Sequence, residues 1–68
     1  MRVIVNGTDA ELPAGATVAD AAETRGVTPA DRGVAVAVDG DVVPKAEWGT
    51  TALADGAAVE VVRAAAGG

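Results

Sequence analysis

Chemistry has few places to sit in this 68-residue chain. It holds no cysteine, histidine or serine, which excludes disulfides, thiolate metal sites, iron–sulfur ligation and the usual pairing of a base with a nucleophile. Thr50 and Thr51 carry hydroxyls with no histidine to activate them, so hydrogen bonding within a connecting segment is their expected work. Asp39 and Asp41 flank Gly40, but the other oxygen ligands and the distal glutamate of a calcium loop are missing. A hairpin turn is expected there, and no metal is assigned. What is left is the final stretch RAAAGG, from Arg63 to Gly68. Gly67 and Gly68 lack a Cβ, so a chain ending on them can enter a narrow cleft that any side chain would block. The diglycine taken alone favours frayed terminal backbone, although a frayed tail has no reason to end on its second glycine.

Several elements must position that tail. The opening MRVIVNGTDAEL alternates around Asn6-Gly7, a pair suited to a tight turn with positive φ at both central residues, and predicts strands over Arg2 to Val5 and Asp9 to Leu12. Pro13, Ala14 and Gly15 punctuate. Thr17 with Asp20 three residues on then starts a short helix in the manner of a capping box. Val18, Ala21, Ala22 and Arg25 share its inner face, Asp20, Glu23 and Thr24 face outward, and Gly26 is placed to end it in a left-handed conformation.

The run VAVAV from Val34 reads as a fully buried strand. Asp39-Gly40-Asp41 turns it into a brief strand at Val42 and Val43, stopped by Pro44. Lys45 to Leu53 shows no clean period and reads as a turn-rich crossover, with Trp48 and Leu53 plugging one end of the core and the indole N–H bonded to backbone. Asp55-Gly56 introduces the last strand, where Val59 and Val61 point to one side and Glu60 and Val62 to the other. The order strand, strand, helix, strand, strand, crossover, strand predicts an α+β roll, a mixed sheet of about five strands wrapped on one helix in the β-grasp, or ubiquitin-like, arrangement. The expected division is a folded domain over 1–63 and a flexible tail over 64–68.

Bulk composition narrows the partners. Trp48 is the sole aromatic, so the core must be made of small side chains packed closely. The net charge is -5, and the cations Arg2, Arg25, Arg32, Lys45 and Arg63 stand singly along the chain. No basic stripe is available to neutralise phosphates, which argues against nucleic acid as a partner. No apolar run approaches the roughly 20 residues that span a bilayer, and no signal peptide opens the chain. A cytoplasmic protein with no membrane partner is expected.

Four pieces in fixed order carry a resemblance to a known family. They are the strand ending in Val5-Asn6-Gly7, VAVAVDGDVVPKAEW from Val34 to Trp48, LADGAAVEVV from Leu53 to Val62, and Gly67-Gly68. Together they resemble the ThiS family, the sulfur carrier proteins of thiamine biosynthesis, over essentially the whole chain. The resemblance implies a β-grasp fold and a protein co-substrate, with no internal catalysis and no bound cofactor. It further implies that a ThiF-type enzyme uses ATP and Mg to adenylate the terminal carboxylate, here that of Gly68. A persulfide donor such as a cysteine desulfurase then supplies sulfur, and thiazole synthase of the ThiG type consumes the thiocarboxylate. The missing cysteine fits, because the terminus is then the one plausible place to hold activated sulfur. Ala64-Ala65-Ala66 and Lys45 depart from the pattern, since relatives often carry larger or polar residues in the tail and arginine at the lysine position.

Three alternatives stay open at the level of sequence. A MoaD-like carrier for molybdopterin or another metabolite would share the mechanism, though such relatives are usually longer. A ubiquitin-like protein modifier would join its last glycine to lysines. A plain β-grasp interaction module would leave the tail inert. Ile4 and Val62 fall on the sheet face away from the helix, where exposed apolar residues mark interaction sites, and are the candidates for docking the activating enzyme. By itself the protein is expected to be a monomer.

Overall fold

The computed structural model describes residues 1–64. Two hairpins form where the sequence carries its turn signals. Strands β1 (Arg2–Val5) and β2 (Thr8–Glu11) pair antiparallel across Asn6 and Gly7, whose φ values are 51° and 79°. Strands β3 (Val34–Val38) and β4 (Asp41–Val43) pair across Asp39 and Gly40, at 49° and 90°. Positive φ at both central residues matches the turn to the right-handed twist of its strands. The first hairpin is one residue tighter than the alternation predicts, with β2 running from Thr8 instead of Asp9.

Between the hairpins lies one short helix, α1 (Val18–Glu23). Thr17 is its N-cap, and the backbone N–H of Thr17 donates to Asp20 Oδ2 at 2.8 Å. Gly26 follows the helix at φ 70°. Val18, Ala21 and Ala22 are fully buried, and the two alanines let the helix lie close against the sheet. Arg25 continues the same stripe but lies past the helix end, exposed, with Nη2 donating to Val5 O at 2.9 Å. After β4 the chain makes a 3-10 turn over Lys45–Glu47 and returns through Leu53 to β5 (Ala58–Arg63).

The sheet order is β2-β1-β5-β3-β4, with β5 parallel to β1 and antiparallel to β3. A five-stranded mixed sheet folded over one helix is the β-grasp arrangement expected from the element order. Its core is small and mainly valine: Val3, Val5, Val18, Val36 and Val59 are sealed from solvent around Trp48. The indole Nε1–H donates to Val43 O at 2.8 Å, so the largest core side chain leaves no polar atom unpaired. Leu53 closes the same end, and both threonine hydroxyls of the crossover donate to Glu47 O, Thr51 at 2.8 Å and Thr50 at 3.3 Å.

Strand β3 departs from expectation. VAVAV is not buried on both faces: Val34 and Val36 enter the core, whereas Ala35, Ala37 and Val38 are half-buried. The physical reason is that one helix covers one face of the sheet, and among the described residues no element packs on the other. Alanine at 35 and 37 keeps that outer face low rather than filling a second core. Among the described residues, no helix is long and apolar enough to cross a membrane.

Candidate functional site

The candidate site is the end of the chain and the surface from which it leaves. Strand β5 is the middle strand of the sheet and its longest, at six residues. Central placement comes from its sequence: Val59 and Val61 fill the inner face, while both ladder edges are paired, to Val5 through Val59 and to β3 from Val38 to Val34. The chain end is therefore launched from the best-anchored strand. Arg63 pairs with Val34, and the next residue, Ala64, donates its N–H to Gly33 O. Gly33 has φ 69°, and a Cβ built there would stand 3.4 Å from Ala64 Cβ. The conformation and the close approach both favour glycine at this position.

Asn6 adds a second anchor that sequence reasoning missed. Its backbone N–H donates to Val59 O at 2.9 Å, where the β1 ladder runs out. The side chain then continues the ladder: Nδ2 donates to Val61 O at 3.0 Å, and Oδ1 accepts from Val61 N–H at 2.7 Å. A carboxamide has the donor and acceptor needed to imitate one peptide group. The turn signal at Asn6-Gly7 already accounted for an asparagine, so nothing in the sequence asked for a second role.

At the other end of β5, the Asp39 carboxylate is engaged with backbone. Its Oδ1 accepts from Ala58 N–H at 3.0 Å, and its own N–H donates to Ala58 O at 2.8 Å. That carboxylate caps the start of β5. Asp55 does the same for β1, accepting from Arg2 N–H at 2.9 Å.

The outer sheet face carries the apolar residues that the fold leaves uncovered. Ile4 is 37% exposed and Val62 54% exposed. Both lie on the face opposite the helix, yet they are not neighbours: Ile4 stands beside Ala58, four residues before Val62 on β5, which is roughly 13 Å at strand rise. Glu60 projects from the same face between them. The register instead places Val62 beside Ala35, and Ala37 between Glu60 and Val42. Val42, at 73% exposure, is the most open large apolar side chain and was not singled out from sequence. On a strand of three residues no alternation exists to assign its face.

Gly67 and Gly68, and the rest of the proposed tail beyond Ala64, lie outside the described residues.

Comparison with known proteins gives a consistent picture. The ThiS family model matches residues 3–68, which includes Gly67 and Gly68. Among solved structures, a thiamine biosynthesis protein (ThiS) from Geobacter metallireducens is similar over 100% of both chains, with a TM-score of 0.76 and 27% identity. No curated protein sequence matches.

Proposed function

This chain belongs to the ThiS family of small sulfur carrier proteins, and we propose that it supplies sulfur for the thiazole ring of thiamine as a thiocarboxylate on Gly68. The observation that carries this reading is the family match itself, which runs through the folded body and on to the last two glycines. A carboxylate resists attack because the incoming nucleophile adds charge to an anion. Joined to AMP by a ThiF-type enzyme that brings the ATP and Mg, the Gly68 carboxylate becomes an acyl-adenylate, and pyrophosphate leaves. The outer sulfur of a persulfide donor such as a cysteine desulfurase attacks the acyl carbon and displaces AMP. A thiol then cleaves the S–S bond of the resulting acyl disulfide, which leaves a disulfide on the donor side and a thiocarboxylate for a ThiG-type thiazole synthase. The chain acts as a co-substrate and contributes no catalytic side chain.

The fold supports this division of labour. A body of residues 1–63 offers a docking surface, and the residues that follow are small enough to enter a cleft. On the outer face Val62 and Ile4 serve as docking residues for the activating enzyme, and Val42, across Ala37 from Glu60, is a further exposed apolar side chain on the β4 side. The test is direct. Incubation with ATP, Mg, an activating enzyme and sulfide should add the mass of one sulfur in exchange for one oxygen, and removal of Gly68 should abolish the gain. No mass change with an enzyme shown to act on another carrier would overturn the reading.

A further inference from the structure

Charge is unevenly placed on this acidic molecule. The chain carries 10 acidic and 5 basic residues. Three of the five cations, Arg32, Lys45 and Arg63, gather where β5 ends. Arg63 is its last residue, facing Val34 across the ladder. Arg32 precedes Gly33, whose carbonyl holds Ala64 N–H. Lys45 reaches the same loop, its Nζ donating to Asp31 O. A fourth cation, Arg25, bonds to Val5 O at the same end of the parallel strand β1.

These side chains are not matched internally. Among the described residues, the ion pairs are the Met1 ammonium with Glu11 at 3.0 Å and Arg2 with Asp9 at 3.9 Å, both away from this end. Asp31 is the carboxylate closest in the chain to Arg32, and its Oδ2 accepts from Thr28 N–H at 2.8 Å. Glu60 projects from the outer face, whereas Arg63 has the strand alternation of Val59 and Val61 and belongs to the helix side. Arg32 and Arg63 are exposed and Lys45 is half-buried, so the charges are available to a partner.

We propose that Arg32, Lys45 and Arg63 form a basic collar around the root of the chain end, and that it recognises an acidic protein surface bordering the cleft of the adenylating enzyme. The proposal rests on the function given above and adds the chemistry of the surface that receives the tail. The occupant follows from complementarity: on a molecule with net charge -5, three of the five cations stand at this end, alongside the carboxylates of Asp31 and Glu47, so this is where an acidic surface meets positive charge. Such a dipolar arrangement orients the encounter, so the chain end arrives first. Steering of this kind raises association rates and decays as salt screens it.

The experiment compares wild type with the double variant R32E/R63E and with R2E, a charge reversal at the far end. Circular dichroism establishes that each is folded, and R32Q/R63Q provides a milder change should the double reversal unfold. Association and dissociation rates with the activating enzyme are measured with and without ATP, at low and high salt. The collar predicts that R32E/R63E associates at least about tenfold more slowly at low salt, converging on wild type near 1 M, with dissociation much less affected and R2E close to wild type. Equal slowing by R2E, or a deficit that salt does not relieve, overturns it. A deficit seen only when ATP is present assigns the collar to nucleotide phosphate and also overturns it. Thiocarboxylation of wild type by the same enzyme separates the two failures: if it proceeds while the variants bind normally, the collar is wrong and the carrier function stands. If wild type is never modified by an active enzyme, the carrier function fails and the collar with it.

Discussion

Replacing Asn6 tests whether the root of the chain end is anchored by a side chain that imitates backbone. Its carboxamide makes two bonds to Val61, at 2.7 and 3.0 Å, at a point where β1 has no further residue to pair. Val61 is buried, so water cannot freely replace either bond. At a net of about 0.5–1.5 kcal/mol per hydrogen bond, Asn6→Gly should destabilise the fold by about 1–3 kcal/mol while keeping the positive φ accessible. Asn6→Ala loses the same bonds and must hold an L side chain at φ 51°, which adds roughly 1–2 kcal/mol. Urea unfolding followed by circular dichroism ranks wild type, glycine and alanine in that order of stability. Amide exchange supplies the local readout, since Val61 N–H should lose protection in both variants more than Val36 N–H does. An Asn6→Gly protein within about 0.5 kcal/mol of wild type, the range of ordinary surface substitutions, would refute the reasoning.

Two further outcomes follow from the core and the outer face. Trp48→Ala should cost about 3–5 kcal/mol, against a total stability of roughly 3–10 kcal/mol for a domain of this length, so a large fall in thermal midpoint is expected. Trp48→Phe should fall between the two, because it keeps an aromatic ring but strips Val43 O of its indole donor; an unchanged midpoint for the alanine variant would contradict the packing described. Val62→Asp, on the exposed face, should fold normally and slow adenylation by the activating enzyme, and unchanged kinetics in a folded variant would remove Val62 from the docking surface.

Much of the fold was legible because each local signal had one structural solution. Asn6-Gly7 and Asp39-Gly40 demanded tight turns, the Thr17 to Asp20 spacing began a helix, and Gly26 marked its end. Trp48 was placed in the core with a bonded N–H because a chain with one aromatic has little else to fill its centre. The errors have a common origin in pairing across the chain. The period of VAVAV could not say that only one face of β3 would be covered, since that depends on a single α-helix among the described residues packing on the sheet. A one-residue shift in β2 is likewise settled by what it faces on β1, not by its own alternation.

The candidate site divides along the same line. That Ile4 and Val62 would be exposed followed from strand alternation, a property of each strand alone. That they stand apart, with Val62 beside Ala35 and Ile4 beside Ala58, is a property of register between strands distant in sequence. The collar has the same character: Arg32, Lys45 and Arg63 read as isolated charges along the chain, and only the pairing of Arg63 with Val34 and the reach of Lys45 to Asp31 O bring them to one end. A scattered linear charge pattern therefore does not imply a scattered surface. In a β-grasp chain the last strand enters the middle of the sheet, so its end is ringed by loops drawn from several parts of the sequence. A surface that must recognise a partner while delivering a chain end is most economically built there, where docking and delivery are fixed by the same strand.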